Sequence, residues 1–326
     1  MRPLFRVAAG PTLGFGHLMR CRSLSRALGV PAAVSIRGSK ETMAAAVARG
    51  FDVVPGGLSA LRGDRAPDVL VVDDPLEAEA ARWVRRARQL KRPVATLHDL
   101  GLGYVDSDLA IDGSIDQGDH RGTVALAGPL FAVLDPSIAV ARERSAPARA
   151  GVLIALGGGA HVHQWGEALA HAVLARRPDA AIRIVQGFSR TALRANHPNV
   201  TWVSAPDGLA DELHRASVAV VAGGVTLYEA AALATPAVAI AVVPAQQLTI
   251  RAFARRGAAI DAGIATDPSA FAHAADAVAD LISHPGHATR LGGTASHLID
   301  GRGVFRVADA VRQLAAHRAE DHFHAA

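Results

Sequence analysis

Short apolar runs alternate with stretches of helical periodicity along the whole chain, and this alternation constrains the fold more than any other feature. A repeated strand-helix-strand series builds an open parallel sheet covered by helices. In the first half, strands are expected at 4–9, 33–36, 69–72, 94–97 and 109–111. The first helix starts near His17, because Leu18, Cys21, Leu24 and Leu28 recur at helical spacing. A second series follows, with strands expected at 152–156, 182–186, 200–202, 218–222 and 237–243. Between the two, 135–150 mixes proline, arginine, glutamate and serine without sustained periodicity and reads as a linker.

A chain of 326 residues exceeds one ordinary domain. The expected class is α/β, with two Rossmann-like domains facing a central cleft. The domains span 1–140 and 150–303, and a closing helix with a short tail carrying His322 and His324 occupies 304–326. Ligands of open parallel sheets bind beyond the carboxyl ends of the strands, so that is where site residues belong.

Composition removes several function classes. Hydrophobic residues make up 50% of the chain and charged residues 20%, enough for two packed cores. The single cysteine, Cys21, has no partner for an internal disulfide, which fits a reducing compartment. No secretory leader is recognisable, and no apolar run approaches the roughly 20 residues of a membrane span, so a cytoplasmic protein without membrane insertion is expected. The formal charge is only +4 and aromatic residues are 4%, which argues against nucleic acid as a partner. The densest basic run, residues 82–92, puts Ala80, Trp83, Val84, Ala87 and Leu90 on one helical stripe. Its arginines then form a solvated face, with an anionic membrane or lipid-linked acceptor as the alternative. A monomer is expected.

Three motifs carry chemistry. Gly14-Phe15-Gly16-His17-Leu18-Met19-Arg20 follows the first strand, where glycines let backbone approach a phosphate and a helix N-terminus offers free N–H groups. The third glycine of a dinucleotide fingerprint is missing and no acid follows Ile36-Arg37, which disfavours a nicotinamide cofactor. No cofactor is expected. His17 lies in the first helical turn, where the helix dipole keeps an imidazole neutral, as a general base requires. Arg20, one turn on, either reaches a pyrophosphate or holds an acidic side chain. Asp73, Asp74, His98 and Asp99 end predicted strands, and Asp99 is the first choice to orient His17.

The second motif, Gly223-Gly224-Val225-Thr226-Leu227-Tyr228-Glu229, joins a strand to an alanine-rich helix and suits a diphosphate. Thr226 and Glu229 have capping-box spacing; Glu229 equally suits ribose hydroxyls. The third, Val243-Pro244-Ala245-Gln246-Gln247, sets two glutamines at a strand end, with donors and acceptors for sugar hydroxyls.

These motifs, together with Gly128-Pro129-Leu130-Phe131-Ala132-Val133-Leu134 and Leu156-Gly157-Gly158-Gly159, occur in an order that resembles one family. It is the UDP-2,4-diacetamido-2,4,6-trideoxy-β-L-altropyranose hydrolases of pseudaminic acid biosynthesis, similar in fold to glycosyltransferase-B enzymes. The resemblance covers about residues 6 to 260 and is most specific in the first motif and in 222–247. It implies that His17 activates water, that the 222–229 turn holds the diphosphate and Glu229 the ribose, and that Gln247 matches the glutamine of the family's Asn-Gln pair. With the residues read from the motifs themselves, the expected catalytic pair is His17 and Asp99, and the expected contacts to a UDP-sugar are Gly14, Gly16, Arg20, Gly158, Gly223, Gly224, Val225, Thr226, Glu229, Gln246 and Gln247. It also implies inversion at the anomeric carbon without a metal.

The chain departs from the family at Gln246, Ala245 and Val225, where asparagine, an acid and serine are usual. Val72-Asp73-Asp74-Pro75 lacks the usual His-Tyr. These positions are expected to line the sugar pocket. Asp106-Ser107-Asp108 matches a metal-binding spacing of the other major glycosyltransferase fold but reads as a loop entering a strand, and His161-Val162-His163 lacks identifiable further ligands. A hydrolase is the leading expectation, with a glycosyltransferase or a non-catalytic nucleotide-sugar sensor as alternatives.

Overall fold

The computed structural model describes residues 1–10, 13–63, 66–100, 103–116, 126–145, 148–159, 161–187 and 195–323, so the tail residue His324 lies outside the described residues. The chain forms two compact units. Unit 1 is Met1–Pro136 with the segment from Arg302 onward, and unit 2 is Ser137–Gly301.

Unit 1 runs β1 (Pro3–Ala8), α1 (Gly16–Leu28), β2 (Ala33–Arg37), α2 (Lys40–Val47), β3 (Asp52–Val53), β4 (Val69–Asp73), α3 (Glu77–Gln89), β5 (Val94–His98), β6 (Leu109–Asp112) and β7 (Leu126–Ala127). Its strands pair in parallel in the order β3-β2-β1-β4-β5-β6-β7. Successive side chains of a strand point to opposite faces, so β1 and β4 supply two cores. Phe5, Val7 and Val71 join Leu18, Cys21 and Leu24 of α1, whereas Leu4, Leu70 and Val72 join Trp83 and Val84 of α3. Because both faces are covered, these strands are apolar almost throughout, broken only by Arg6 in β1 and the terminal Asp73 of β4, which is why they stand out in the sequence. Arg6 shares the α3 face and lies 4.8 Å over the Trp83 ring.

Unit 2 runs α4 (Pro136–Glu143), β8 (Val152–Ala155), α5 (His161–Arg176), β9 (Ile182–Val185), β10 (Val200–Val203), α6 (Ala210–Arg215), β11 (Val218–Ala222), α7 (Val225–Ala232), β12 (Ala237–Ala241), α8 (Gln246–Arg255), β13 (Ile260–Ile264), α9 (Ala270–Ser283) and α10 (Pro285–Leu298). The sheet order is β10-β9-β8-β11-β12-β13, again parallel. Val152, Ile154, Val220, Val238 and Ile240 pack with Leu169 and Val173 of α5 and Ala274 and Val278 of α9. Helix α11 (Gly303–Phe323) then returns the chain to unit 1, where Val304, Val307, Ala308 and Val311 are buried in the α1 core.

The expected linker contains a helix. Pro136 opens α4, Ile138, Ala139 and Ala141 are buried, and Arg142 donates to the Ala232, Ser296 and Ile299 carbonyls. Strand β13 was not expected, because Asp261 and Gly263 interrupt its apolar run. Its register also shifts beside Ala241. Among the described residues, no helix is long and apolar enough to cross a membrane.

Candidate active site

In both units the strand order reverses at the first strand. Neighbouring crossovers leave in opposite directions there, opening a crevice above the carboxyl ends of β1 and β4 in unit 1 and of β8 and β11 in unit 2.

The unit 1 crevice gathers residues far apart in sequence. His17 enters from the first turn of α1, Asp73 is the last residue of β4, and Asp99 follows β5. His17 Nδ1 lies 2.8 Å from Asp73 Oδ1. Arg20 donates from Nε to Asp73 Oδ2 at 2.8 Å and from Nη2 to Asp73 Oδ1 at 2.5 Å. It also reaches Asp99, from Nη1 to Oδ1 at 2.6 Å and from Nη2 to Oδ2 at 3.0 Å. An ionised carboxylate only accepts, so the ring proton is assigned to Nδ1 and Nε2 keeps its lone pair. Among the described residues nothing engages Nε2.

This arrangement corrects the expectations for the partner and the charge of His17 and decides between the two for Arg20. Asp73, not Asp99, orients His17, because it ends the strand beside β1 and lies fully buried under the α1 turn. Of the two roles open to Arg20, the structure shows the second: its guanidinium holds two acids, Asp73 and Asp99. His17 is not held below the ordinary histidine value, as a helix N-terminus alone would have it. Burial pushes its pKa down, but the charge and hydrogen bond of Asp73 outweigh burial, and His17 ends above the ordinary histidine value. Against its own burial, Asp73 is held well below the usual carboxylate range by Arg20 and His17.

The other strand-end candidates are engaged elsewhere. Asp74 takes Arg37 bidentately, at 2.8 and 2.5 Å, and the Leu76 amide at 3.0 Å. His98 Nε2 meets Thr96 Oγ1 at 2.7 Å, and burial lowers its pKa. Gly14, at φ +75°, exchanges two backbone hydrogen bonds with Gly10. Gly16 opens α1, and a Cβ there would meet nothing within 4 Å.

The unit 2 crevice has two glycine turns, each leading into a helix N-terminus. After β8, Gly157 takes φ +90° and Gly158 lies against Gly187, where a Cβ would come within 2.8 Å of the Gly157 carbonyl oxygen. Gly187 was not singled out in the sequence, although a glycine just past a strand end was the available signal. After β11, Gly223 is pressed by α8, since a Cβ would lie 2.6 Å from Ile250 Cγ1. Gly224 is the N-cap of α7, so Thr226 lies inside the helix and does not cap it; the capping-box alternative for Glu229 is replaced. Glu229 is buried one turn further on. Gln246 Oε1 accepts from the Val242 amide at 2.9 Å, which turns its carboxamide nitrogen toward Gly224. Val225, Thr226 and Gln247 are half-buried beside it. With no acid in its first turn, α7 offers an anion-binding end.

His161 and His163, read as loop residues in the sequence, lie in the first turn of α5 and part company. His161 Nε2 returns to the Leu156 carbonyl at 3.1 Å, and His163 stacks on Trp202. Among the described residues, no group of three His, Cys, Asp or Glu is placed to hold a metal.

Two open parallel sheets of this order, each with a glycine-bearing switch point, make this the glycosyltransferase-B fold. The fold is similar to MurG of Acinetobacter baumannii, at TM-score 0.62 and 15% identity, covering 96% of this chain and 100% of that one. It is similar to spinosyn rhamnosyltransferase SpnG complexed with thymidine diphosphate, at TM-score 0.62 and 17% identity over 96% and 100%. It is also similar to UDP-GlcNAc 2-epimerase from Neisseria meningitidis bound to UDP-GlcNAc, at TM-score 0.58 and 11% identity over 95% and 100%.

No family model matches the chain. In sequence it is 29% identical over 174 residues to spore coat polysaccharide biosynthesis protein SpsG of Bacillus subtilis (strain 168), covering 48% of this chain and 51% of that protein. The chain thus spans about half the length of the curated relative it matches.

Proposed function

We propose that this chain hydrolyses a nucleoside-diphosphate sugar, with His17 activating the water. The observation that carries the reading is the hydrogen bond between His17 Nδ1 and a buried carboxylate, which leaves Nε2 as the basic nitrogen. In the proposed reaction, water loses a proton to Nε2 and its oxygen bonds to the anomeric carbon. The bond from that carbon to the diphosphate breaks, and the diphosphate leaves with the electron pair. Asp73 steadies the imidazolium that forms, which later returns its proton to solvent. Attack opposite the leaving group inverts the anomeric centre.

Support for a nucleotide sugar comes from two fold neighbours, one bound to UDP-GlcNAc and one to thymidine diphosphate. The sequence relative is named for polysaccharide biosynthesis. Within this class, the family resemblance favours a UDP-linked N-acetylated deoxy sugar. Transfer to an acceptor other than water is the second reading, favoured by the rhamnosyltransferase and MurG among the neighbours.

A screen of UDP-sugars in buffer without acceptor separates the two. UDP release, with ¹⁸O from labelled water appearing in the free sugar, is the expected result. Release only after an acceptor is added selects transfer, and label in UDP removes His17 from its role.

A further inference from the structure

Arg20 stands between two carboxylates, although one is enough to hold it. Asp73, fully buried, already engages its Nε and Nη2. Asp99 engages Nη1 and Nη2 a second time while its own side chain remains 51% exposed. Among the described residues, Asp99 meets no cation besides Arg20. While His17 is neutral, the cluster of His17, Arg20, Asp73 and Asp99 therefore carries one excess negative charge. The adjacent group of Arg6, Arg37, Asp74 and Glu79 has two charges of each sign and adds nothing to it.

A half-exposed carboxylate pinned at both oxygens cannot turn away from a ligand entering the crevice. Each oxygen spends one acceptor position on Arg20 and keeps another. A neutral group with O–H or N–H donors satisfies those positions, whereas a second carboxylate meets like charge held in place. Extending the nucleotide-sugar reading above, on which this inference rests, we propose that Asp99 is the specificity-determining residue of the His17 crevice. Its carboxylate accepts hydrogen bonds from hydroxyl or amide N–H groups of an uncharged sugar and repels sugars that bear a carboxylate.

The test compares UDP-glucose and UDP-N-acetylglucosamine with UDP-glucuronate, using calorimetry and melting temperature for binding and UDP release for turnover. The parent protein should bind the neutral sugars on the order of tenfold or more tightly than the acidic one. Asp99→Asn should shrink that ratio, and Asp99→Glu should preserve it. A residue that only held Arg20 would, when replaced, weaken neutral and acidic ligands alike and leave the ratio unchanged. That outcome, or equal parental affinity for both classes, overturns the inference while the nucleotide-sugar reading stands. If neither UDP nor any of the three nucleotide sugars binds the parent, the reading falls and the inference with it.

Discussion

An imidazole that gives one nitrogen to a buried carboxylate has only the other for chemistry, and here the carboxylate also sets when that nitrogen is available. The unprotonated form of His17 is the one that can accept a proton, so kcat/KM should climb as pH rises through a pKa above the ordinary histidine value of about 6.5. Asp73→Asn removes the charge and leaves burial and Arg20, which lower that pKa, against the smaller upward pull of Asp99. The rising limb should move to lower pH and the plateau should fall by about 10⁴, the scale of loss when the carboxylate that orients a catalytic histidine becomes an amide. A pH–rate profile with an unmoved limb would break the link between the two residues. The pair also ties stability to pH from two sides. His17, raised on folding, contributes fully below about pH 6.5 and loses its contribution as pH climbs through its folded value. Asp73, lowered on folding, contributes above about pH 3.9 and loses its contribution as pH falls through its folded value. His17 was legible in the sequence because glycines flank Phe15, and Asp73 was among four strand-end candidates. That Asp73 holds it was not legible, since the choice depends on β4 lying beside β1 and on Arg20 separating Asp99 from the ring.

At the scale of elements, two adjacent glycines in one turn make different demands. A Cβ at Gly223 would lie 2.6 and 2.8 Å from Ile250 atoms, whereas at Gly224 the nearest atom is Gln246 Nε2 at 3.7 Å. Gly223→Ala should therefore cost about 1 to 3 kcal/mol in chemical denaturation, by forcing α8 away from the turn. Gly224→Ala should melt close to the parent yet bind UDP more weakly, because its methyl group occupies the approach to the α7 amides. Equal loss of stability in both variants would contradict this geometry. The strands that were legible are those buried on both faces: β8 and β11 are unbroken apolar runs, β4 is apolar up to its final Asp73, and in β1 only Arg6 interrupts the run. The ones missed are edge pieces: β3 and β7 with two residues each, and β13 with a polar interruption. Helix α4 was hidden because its buried face is only Ile138, Ala139 and Ala141, flanked by proline and charged residues. The Thr226–Glu229 spacing misled for a local reason, since two glycines let the helix begin two residues earlier, at Val225.

At the scale of the molecule, each unit has its own core, but unit 1 borrows part of its core from the far side of unit 2 in sequence. Val304, Val307 and Val311 of α11 are wholly buried against α1 and the first sheet. At about 1.5 to 3 kcal/mol for each buried side chain, their sum is comparable to the 5 to 15 kcal/mol stability of an ordinary domain. Removing the chain after Gly301 should unfold unit 1 and leave unit 2 folded. Hydrogen exchange would read this directly: amides of β1 and β4 should lose protection while those of β8 and β11 keep it, and continued protection in β1 would refute the dependence. The returning helix also bears on the order of birth. A ribosome adding roughly 5 to 20 residues per second completes the seven strands of unit 1 and then makes all of unit 2 before α11 exists. The half that is begun first is therefore finished second. Until then, the apolar face of α1 that awaits Val304, Val307 and Val311 stands open on the nascent chain, where a chaperone that grips exposed aliphatic surface would find it.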